Sequence, residues 1–196
     1  MFFFLCALIS CKKFIEIPPP VDQETSSTVF SDDVSATTAI NGLYSLMMIQ
    51  NFAFANSGMT LYPGLSADEL YNTTPDGNID PFTNNVINTN NSNVELNLWG
   101  KAYNLIYQTN AILEGLSSSS GISPSVKNQL SGEAKLVRAL CYFYLINLFG
   151  DVPYVNSTNY QLNSTILRTD KDEIYSKIIT DLQDAETLMG PEIGRA

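Results

Sequence analysis

The chain contains no histidine among its 196 residues. Histidine is the most frequent general base in enzymes, and its imidazole is a common ligand of zinc. A Ser-His-Asp triad or a Cys-His pair is therefore excluded within this chain. Since no other catalytic group can be recognised, we predict no enzymatic activity, no cofactor and no metal site.

Basic residues are also scarce. Ten Lys and Arg stand against 20 Asp and Glu, and the formal net charge is −10 at pH 7. No Lys or Arg lies between Lys13 and Lys101. Binding to nucleic acid or to an anionic membrane surface depends on basic groups. We therefore expect neither partner and predict an acidic, solvated surface.

The cysteines are few and isolated: Cys6, Cys11 and Cys141. Their spacing fits neither a metal site nor a disulfide framework. Cys141 lies within an apolar helical segment, so we predict that it is a small buried residue of the core.

The apolar run at the N-terminus, residues 2–9, is too short to span a membrane, which takes about 20 residues in a helix. It resembles the hydrophobic region of a secretory signal peptide, and we predict a signal peptide over residues 1–10.

The residues Leu8-Ile9-Ser10-Cys11 resemble the lipobox of bacterial lipoproteins, whose cysteine is acylated and begins the mature chain. We predict lipid attachment at Cys11, followed by a tether over residues 11–30. Three consecutive prolines at residues 18–20 are typical of an extended spacer. The alternative is an ordinary cysteine near a signal cleavage site.

Helical spacing of apolar residues recurs in four segments. We predict helices over residues 32–48, 94–114 and 124–149, and from Asp170 to about residue 188. Ser31 or Asp32 can cap the first helix and Asp170 the fourth. Gly115 and Gly150 are the predicted ends of the second and third. The first helix has one apolar face, which comprises Val34, Ala39, Ile40, Leu43, Tyr44 and Met47.

Helical periodicity is lost over residues 50–93, which contain six glycines and prolines and many asparagines. We predict that this segment is irregular and either functional or packed on other parts of the protein. Residues 117–121 and 155–167 are likewise predicted loops. The run at residues 76–80 lacks the glycine and glutamate positions of a calcium-binding EF-hand.

The third helix becomes apolar on most sides towards its end, so we expect other elements to cover it. Arg138 lies in this apolar stretch. We predict that it pairs with a carboxylate or with carbonyl groups for a structural reason.

Taken together, the chain resembles the N-terminal part of the SusD/RagB-type outer-membrane lipoproteins of Bacteroidetes. The matching stretches are the lipobox at Cys11, AINGLY at 39–44, SADE at 66–69, WGKAYNLI at 99–106, NAIL at 110–113, GEAKLVRA at 132–139, YFY at 142–144, LFGDVP at 148–153, and DEIY and IITDL within 172–182. The block at residues 132–153 is the most specific of them.

This resemblance implies an all-α fold, with a tetratricopeptide-like helical scaffold and long irregular insertions. Family members are usually more than twice this length, so residues 31–196 would be the N-terminal part of the domain, incomplete at its C-terminus. The resemblance also implies an outer-membrane protein facing the exterior, which binds oligosaccharide or another nutrient. It would deliver that ligand to a TonB-dependent transporter. The alternative is a helical-repeat adaptor that binds protein.

Sugars are bound by aromatic stacking and by polar side chains that satisfy their hydroxyls. The candidate ligand residues are Asp68, Tyr71 and Asn72 in the irregular segment, and Trp99 at a helix start. For Trp99 the alternative is packing in the core, and for Asp68 it is a turn or a helix cap. A glycan hydrolase is disfavoured because the paired carboxylates of Asp68 and Glu69 are adjacent and would diverge rather than flank one bond.

Overall fold

The computed structural model describes residues 26–48 and 54–190, and the predicted signal peptide and lipid-attachment site lie outside them. The α-helices are α1 (Ser26–Val29), α2 (Asp33–Met48), α3 (Met59–Ser66), α4 (Asp80–Thr83), α5 (Lys101–Ser118), α6 (Pro124–Phe149), α7 (Tyr160–Asn163) and α8 (Lys171–Met189). Two π-helical segments, Phe54–Gly58 and Val94–Gly100, lead directly into α3 and α5. The short strands β1 (Val152–Pro153) and β2 (Arg168–Thr169) pair antiparallel. The predicted all-α fold is confirmed.

Local hydrogen bonds explain where the predicted helices begin and end. The Ser35 amide donates to Asp32 Oδ1 at 2.9 Å at the start of α2. Asp170 caps α8 in the same way, with the Asp172 amide at 2.8 Å. Gly150 follows α6 with a φ of 68°, a left-handed conformation that glycine adopts without steric cost. The start of α2, the start of α8 and the end of α6 are therefore confirmed.

Helix α6 lies between α5 and α8 and runs antiparallel to both. Near its start, Lys127 Nζ donates to the Ser119 carbonyl at the end of α5. Near its end, Asn147 accepts from the Tyr175 hydroxyl at the start of α8. This antiparallel layering is the predicted tetratricopeptide-like scaffold. Cys141 is fully buried in it, as predicted, and burial raises the pKa of its thiol to about 12.

Arg138 ties the three long helices together at the centre of α6. Its Nε and Nη2 donate to the two carboxylate oxygens of Asp181 in α8, at 2.8 and 2.7 Å. Its Nη1 donates to Asn110 Oδ1 in α5 at 2.9 Å. Burial disfavours the guanidinium charge, but the bonds and the attraction from Asp181 outweigh it, and the pKa of Arg138 is raised. The predicted structural pairing is confirmed.

The prediction of irregular structure throughout residues 50–93 was wrong. The π-helical segment and α3 occupy residues 54–66, and α3 contains Pro63. Tyr62 and Leu65 of α3 form a small buried cluster with Phe82 of α4 and Leu98. This apolar burial offsets the helix bond that proline removes, because tertiary packing overrides local propensity.

The predicted apolar face of α2 was also partly wrong. Val34 is 77% exposed, and Tyr44 is exposed with its hydroxyl donating to Glu133 Oε2 at 2.9 Å. Ala36, Ile40 and Leu43 are the residues that α2 buries. Periodicity alone allowed either of two overlapping stripes on this helix.

Gly115 does not end the second predicted helix; it lies inside α5, which continues to Ser118. The ring of Phe30 packs directly on it, and a Cβ built at Gly115 would lie 2.1 Å from Phe30 Cδ2. The glycine therefore permits a close contact between α5 and the segment that joins α1 to α2.

We expect Gly115→Ala to lower the free energy of unfolding by about 1–3 kcal/mol, because the methyl group overpacks the contact with Phe30. Alanine is otherwise the better helix residue by about 1 kcal/mol, so any loss must come from this clash. Urea denaturation measures the change. The matched control is Gly42→Ala in α2, where a Cβ meets nothing within 4 Å and no loss is expected. Equal effects of the two substitutions would contradict the packing argument.

Candidate functional site

The candidate site is the polar segment that joins α3 to the π-helical start of α5, residues 67–93, which we term the connecting loop. It carries three of the four predicted ligand residues, Asp68, Tyr71 and Asn72. Tyr71 is 80% exposed, whereas Asn72 is half-buried. The loop therefore presents one large aromatic ring to solvent, next to an amide that is fixed within the structure.

Asp68 follows the end of α3 in a left-handed conformation with a φ of 60°. Its amide donates to the Leu65 carbonyl at 3.3 Å, and the next two amides, of Glu69 and Leu70, both donate to the Gly64 carbonyl. The backbone thus makes a tight turn at Asp68, as the alternative interpretation of this residue expected. Its carboxylate is exposed to solvent. Aspartate tolerates this conformation better than most residues, so the turn and a ligand role are compatible.

Asp80, at the start of α4, joins two parts of the connecting loop through its carboxylate. Asn72 Nδ2 donates to Asp80 Oδ1 at 2.9 Å, and the Asp76 amide donates to Asp80 Oδ2 at 3.0 Å. Asp76 Oδ1 in turn accepts from the amides of Asn78 and Ile79 at 2.8 and 3.1 Å. Hydrogen bonds therefore close residues 72–78 onto the start of α4, and Ile79 packs against the small cluster around Phe82.

Asparagines hold the far side of the loop. Asn91, which is 6% exposed, and Asn93 both donate to the Asn78 carbonyl at 3.1 Å. Asn91 Oδ1 also accepts from the amides of Asn93 and Val94, at 2.9 and 3.2 Å, ahead of the helical segment. Asn97 Nδ2 donates to the Tyr62 hydroxyl at 2.8 Å and links this segment to α3. Of the asparagines that predicted irregular structure here, Asn91 and Asn93 therefore have a structural role.

Sequence reasoning did not identify Asp76, Asp80 or Asn91 as parts of this arrangement. The structural role of Asn91 could have been predicted, because asparagine is a favoured capping residue and Asn91 lies just before a helical segment. No comparable signal existed for the bond between Asn72 and Asp80, which depends on how the loop closes.

An apolar groove of roughly 460 Å³ lies beside the loop, between α3, α4 and the end of α6. Tyr62 and Phe82 form part of its wall, with ring centroids 4.8 Å apart. The side chains around it are mainly hydrocarbon, with Phe149 and Leu148 at the α6 end. Such a groove supplies few partners for sugar hydroxyls, so the exposed side of the loop suits a glycan better.

Trp99, the fourth predicted ligand residue, lies outside the connecting loop and contacts the helical scaffold. Its ring packs edge-on against Phe149 at 5.1 Å and tilts against Tyr103 at 4.9 Å. The guanidinium carbon of Arg168 lies 5.8 Å from its ring centre. It packs partly buried against the core of the scaffold, as its alternative interpretation expected. Its ring therefore packs where α5, α6 and β2 meet.

The connecting loop carries four carboxylates, from Asp68, Glu69, Asp76 and Asp80, and no basic residue. Within residues 26–48 and 54–190, no group of three or more His, Cys, Asp or Glu side chains is arranged to hold a metal ion.

A membrane-spanning helix must be both long and apolar, and no helix in those two ranges meets this condition.

A family model described as starch-binding and associating with the outer membrane matches residues 13–194. The chain belongs to the SusD-like family. It is 28% identical to SusD-like protein P25 of Formosa agariphila over 191 residues, which are 94% of this chain and 36% of that protein. The SusD-like chain thus spans little more than a third of the length of this curated relative.

Solved structures share the fold of this SusD-like chain. A laminarin-binding SusD-like protein superposes with a TM-score of 0.68 and 25% identity, over 81% of this chain and 34% of that one. NanU of Bacteroides fragilis superposes with a TM-score of 0.68 and 21% identity, over 89% of this chain and 34% of that one. The helical scaffold is therefore that of the SusD-like proteins.

Proposed function

We propose that this protein is a glycan-binding lipoprotein of the outer membrane, anchored through Cys11 and facing the exterior. It captures oligosaccharide or a similar nutrient and delivers it to a TonB-dependent transporter. Membership of a family described as starch-binding and associating with the outer membrane supports the class of ligand and the location. The name of the laminarin-binding neighbour supports a soluble polysaccharide as ligand.

The observation that carries this proposal is the exposed ring of Tyr71 on a loop held by hydrogen bonds. A sugar ring covers an aromatic face through its C–H groups, while its hydroxyls need polar partners nearby. The carboxylates of Asp68 and Glu69 are exposed on the same turn and can accept hydrogen bonds from hydroxyls. The connecting loop therefore provides both kinds of contact without a cofactor.

Affinity electrophoresis in gels containing soluble starch, laminarin, xylan or mannan tests the proposal. We expect at least one of these glycans to retard the protein, and we expect no reducing sugar to be released from any of them. Migration unchanged by every glycan would contradict the binding function. Release of reducing sugar would contradict binding without hydrolysis.

Lipid anchoring gives a separate prediction. In cells grown with a labelled fatty acid, we expect the protein to carry the label and Cys11→Ala to lose it completely, because acylation requires the thiol. Gel electrophoresis with detection of the label measures this. The matched control is Cys6→Ala, in the apolar leader, which should retain the label. Persistence of the label in Cys11→Ala would show that the lipid is attached elsewhere.

The helical-repeat adaptor remains the second candidate, and one feature of the scaffold favours it. Phe143 of α6 and Ile179 and Leu182 of α8 are large apolar side chains exposed on neighbouring helices. An adaptor would use such side chains where they adjoin one another, as protein-binding faces do. Purification of the protein from membranes discriminates the two functions: a TonB-dependent transporter as the main partner, with glycan binding, supports nutrient capture.

A further inference from the structure

We propose that Asn72 and Asp80 are positioning residues that hold Tyr71 ready for a glycan, and that Asn72 does not itself contact the sugar. This inference rests on the proposed function, because it assigns roles within the same site. It changes the prediction for Asn72, which the sequence suggested as a direct ligand residue.

The amide of Asn72 has no donor left for a ligand. One of its two hydrogens is donated to Asp80 Oδ1 at 2.9 Å, and the other goes to the Thr74 carbonyl. Its Oδ1 accepts from the Thr74 amide at 3.3 Å. A side-chain amide has two donor hydrogens, so a sugar hydroxyl could take one only by breaking a bond within the loop.

Both chain neighbours of Tyr71 are held by hydrogen bonds. On one side, the Leu70 amide donates to the Gly64 carbonyl at 3.0 Å. The Leu70 side chain also packs so closely on Gly64 that a Cβ built there would lie 3.0 Å from Leu70 Cδ1. On the other side, Asn72 is bonded to Asp80. The Tyr71 ring is thus exposed, while Leu70 is held through its backbone amide and Asn72 through its side chain.

This arrangement matters for affinity because a ligand that binds a mobile loop must also order it. Ordering even one or two residues on binding weakens affinity by about tenfold or more. A loop that is already held avoids this loss, and its aromatic ring meets the sugar in a defined orientation. We therefore expect breaking the Asn72–Asp80 bond to weaken glycan binding without unfolding the helical scaffold.

The test is a reciprocal exchange of the two side chains. Asn72→Asp places a carboxylate opposite Asp80, which removes the hydrogen bond and adds repulsion. Adding Asp80→Asn restores one bond of reversed polarity, because the new amide donates to the new carboxylate. The new amide also keeps an oxygen for the Asp76 amide. Neither substitution changes the size of a side chain appreciably.

Isothermal titration with soluble starch and with laminarin measures affinity, and hydrogen exchange measures protection of the amides at residues 72–79. For the glycan that binds, we expect Asn72→Asp to weaken affinity at least about tenfold and to speed exchange in the loop. The double variant restores the bond between residues 72 and 80 but not the bond from the Asn72 amide to the Thr74 carbonyl. It should therefore bind at least about threefold more tightly than Asn72→Asp and exchange more slowly in the loop, without reaching the wild-type values. The melting temperature of the scaffold should not change among the variants.

Two results overturn the proposal in distinguishable ways. If the wild-type protein binds glycan and the double variant binds as weakly as Asn72→Asp, the bond between residues 72 and 80 does not hold Tyr71 for the ligand, and only this inference is overturned. If the wild-type protein binds no glycan, the proposed function and the positioning role are overturned together.

Discussion

Replacing Asp181 with alanine is expected to lower the free energy of unfolding by about 3–5 kcal/mol, the largest effect on stability that we predict. Arg138 is 8% exposed and gives two of its hydrogen bonds to this carboxylate. Without Asp181 the guanidinium keeps its bond to Asn110, the one other side chain it contacts by a hydrogen bond within residues 26–48 and 54–190, and it remains charged in a buried position. Urea denaturation measures the loss. The slope of the free energy of unfolding against urea concentration should be the same for the variant and the wild type.

Asp184, one turn further along α8, provides the matched control. Its carboxylate pairs with Lys135 and its side chain is 47% exposed. We expect Asp184→Ala to cost no more than about 1 kcal/mol, because solvent screens exposed ion pairs. Replacing both buried partners, with Arg138→Met and Asp181→Leu, should recover part of the stability, since no unpaired charge remains but the buried Asn110 Oδ1 loses its donor. If Asp181→Ala and Asp184→Ala lowered the free energy of unfolding equally, the claim that the buried ion pair contributes more than the exposed one would be wrong.

Replacing Tyr71 with alanine is expected to weaken glycan affinity about 10-fold to 100-fold, which corresponds to about 1.4–2.8 kcal/mol. Aromatic side chains bury large areas. Covering one face of the ring removes apolar surface from water and stabilises the complex by about 2 kcal/mol. Because the ring is 80% exposed in the free protein, its removal should leave the melting temperature unchanged. Isothermal titration with the glycan that retards the protein in gels measures the loss.

Tyr160 is the matched control for Tyr71, because it is also a tyrosine in a polar loop region and is 76% exposed. It lies at the start of α7, outside the connecting loop. We expect Tyr160→Ala to bind glycan like the wild type. A reversed outcome, with affinity lost in Tyr160→Ala and kept in Tyr71→Ala, would move the site to the segment between β1 and β2.

The scaffold was predictable from sequence where local chemistry and packing agree. Asp32 and Asp170 are good capping residues that accept the expected amides, and Gly150 ends α6 in the conformation that favours glycine. Arg138 in an apolar helix required a partner, and Asp181 provides it. Each of these inferences depends on a few neighbouring residues or on the cost of burying a charge.

The remaining features depend on contacts between distant residues. Pro63 and Gly115 are strong local signals for the end of a helix, yet both lie inside helices. Packing decides each case: Tyr62 and Leu65 are buried against α4, and Phe30 fills the space over Gly115. The residues next to Gly115 in the sequence cannot predict this contact, because Phe30 lies 85 positions earlier in the chain.

The sequence suggested which segment would carry the candidate site, but not how the residues of that segment contact one another. The polar composition and exposed aromatic of the connecting loop pointed to Asp68, Tyr71 and Asn72, and all three lie on its first turn or next to it. Their roles as ligand residues stay predictions. The sequence could not show that the Asn72 amide is already used, because Asp80 is eight positions away and joins it only through loop closure.

Hydrogen exchange of the protein with and without saturating glycan tests most directly whether the connecting loop holds the ligand. We expect slower exchange at residues 68–80, with no change at residues 156–165 around Tyr160 or along α6 and α8. Protection confined to those other surfaces, with the loop unchanged while glycan is bound, would contradict this account.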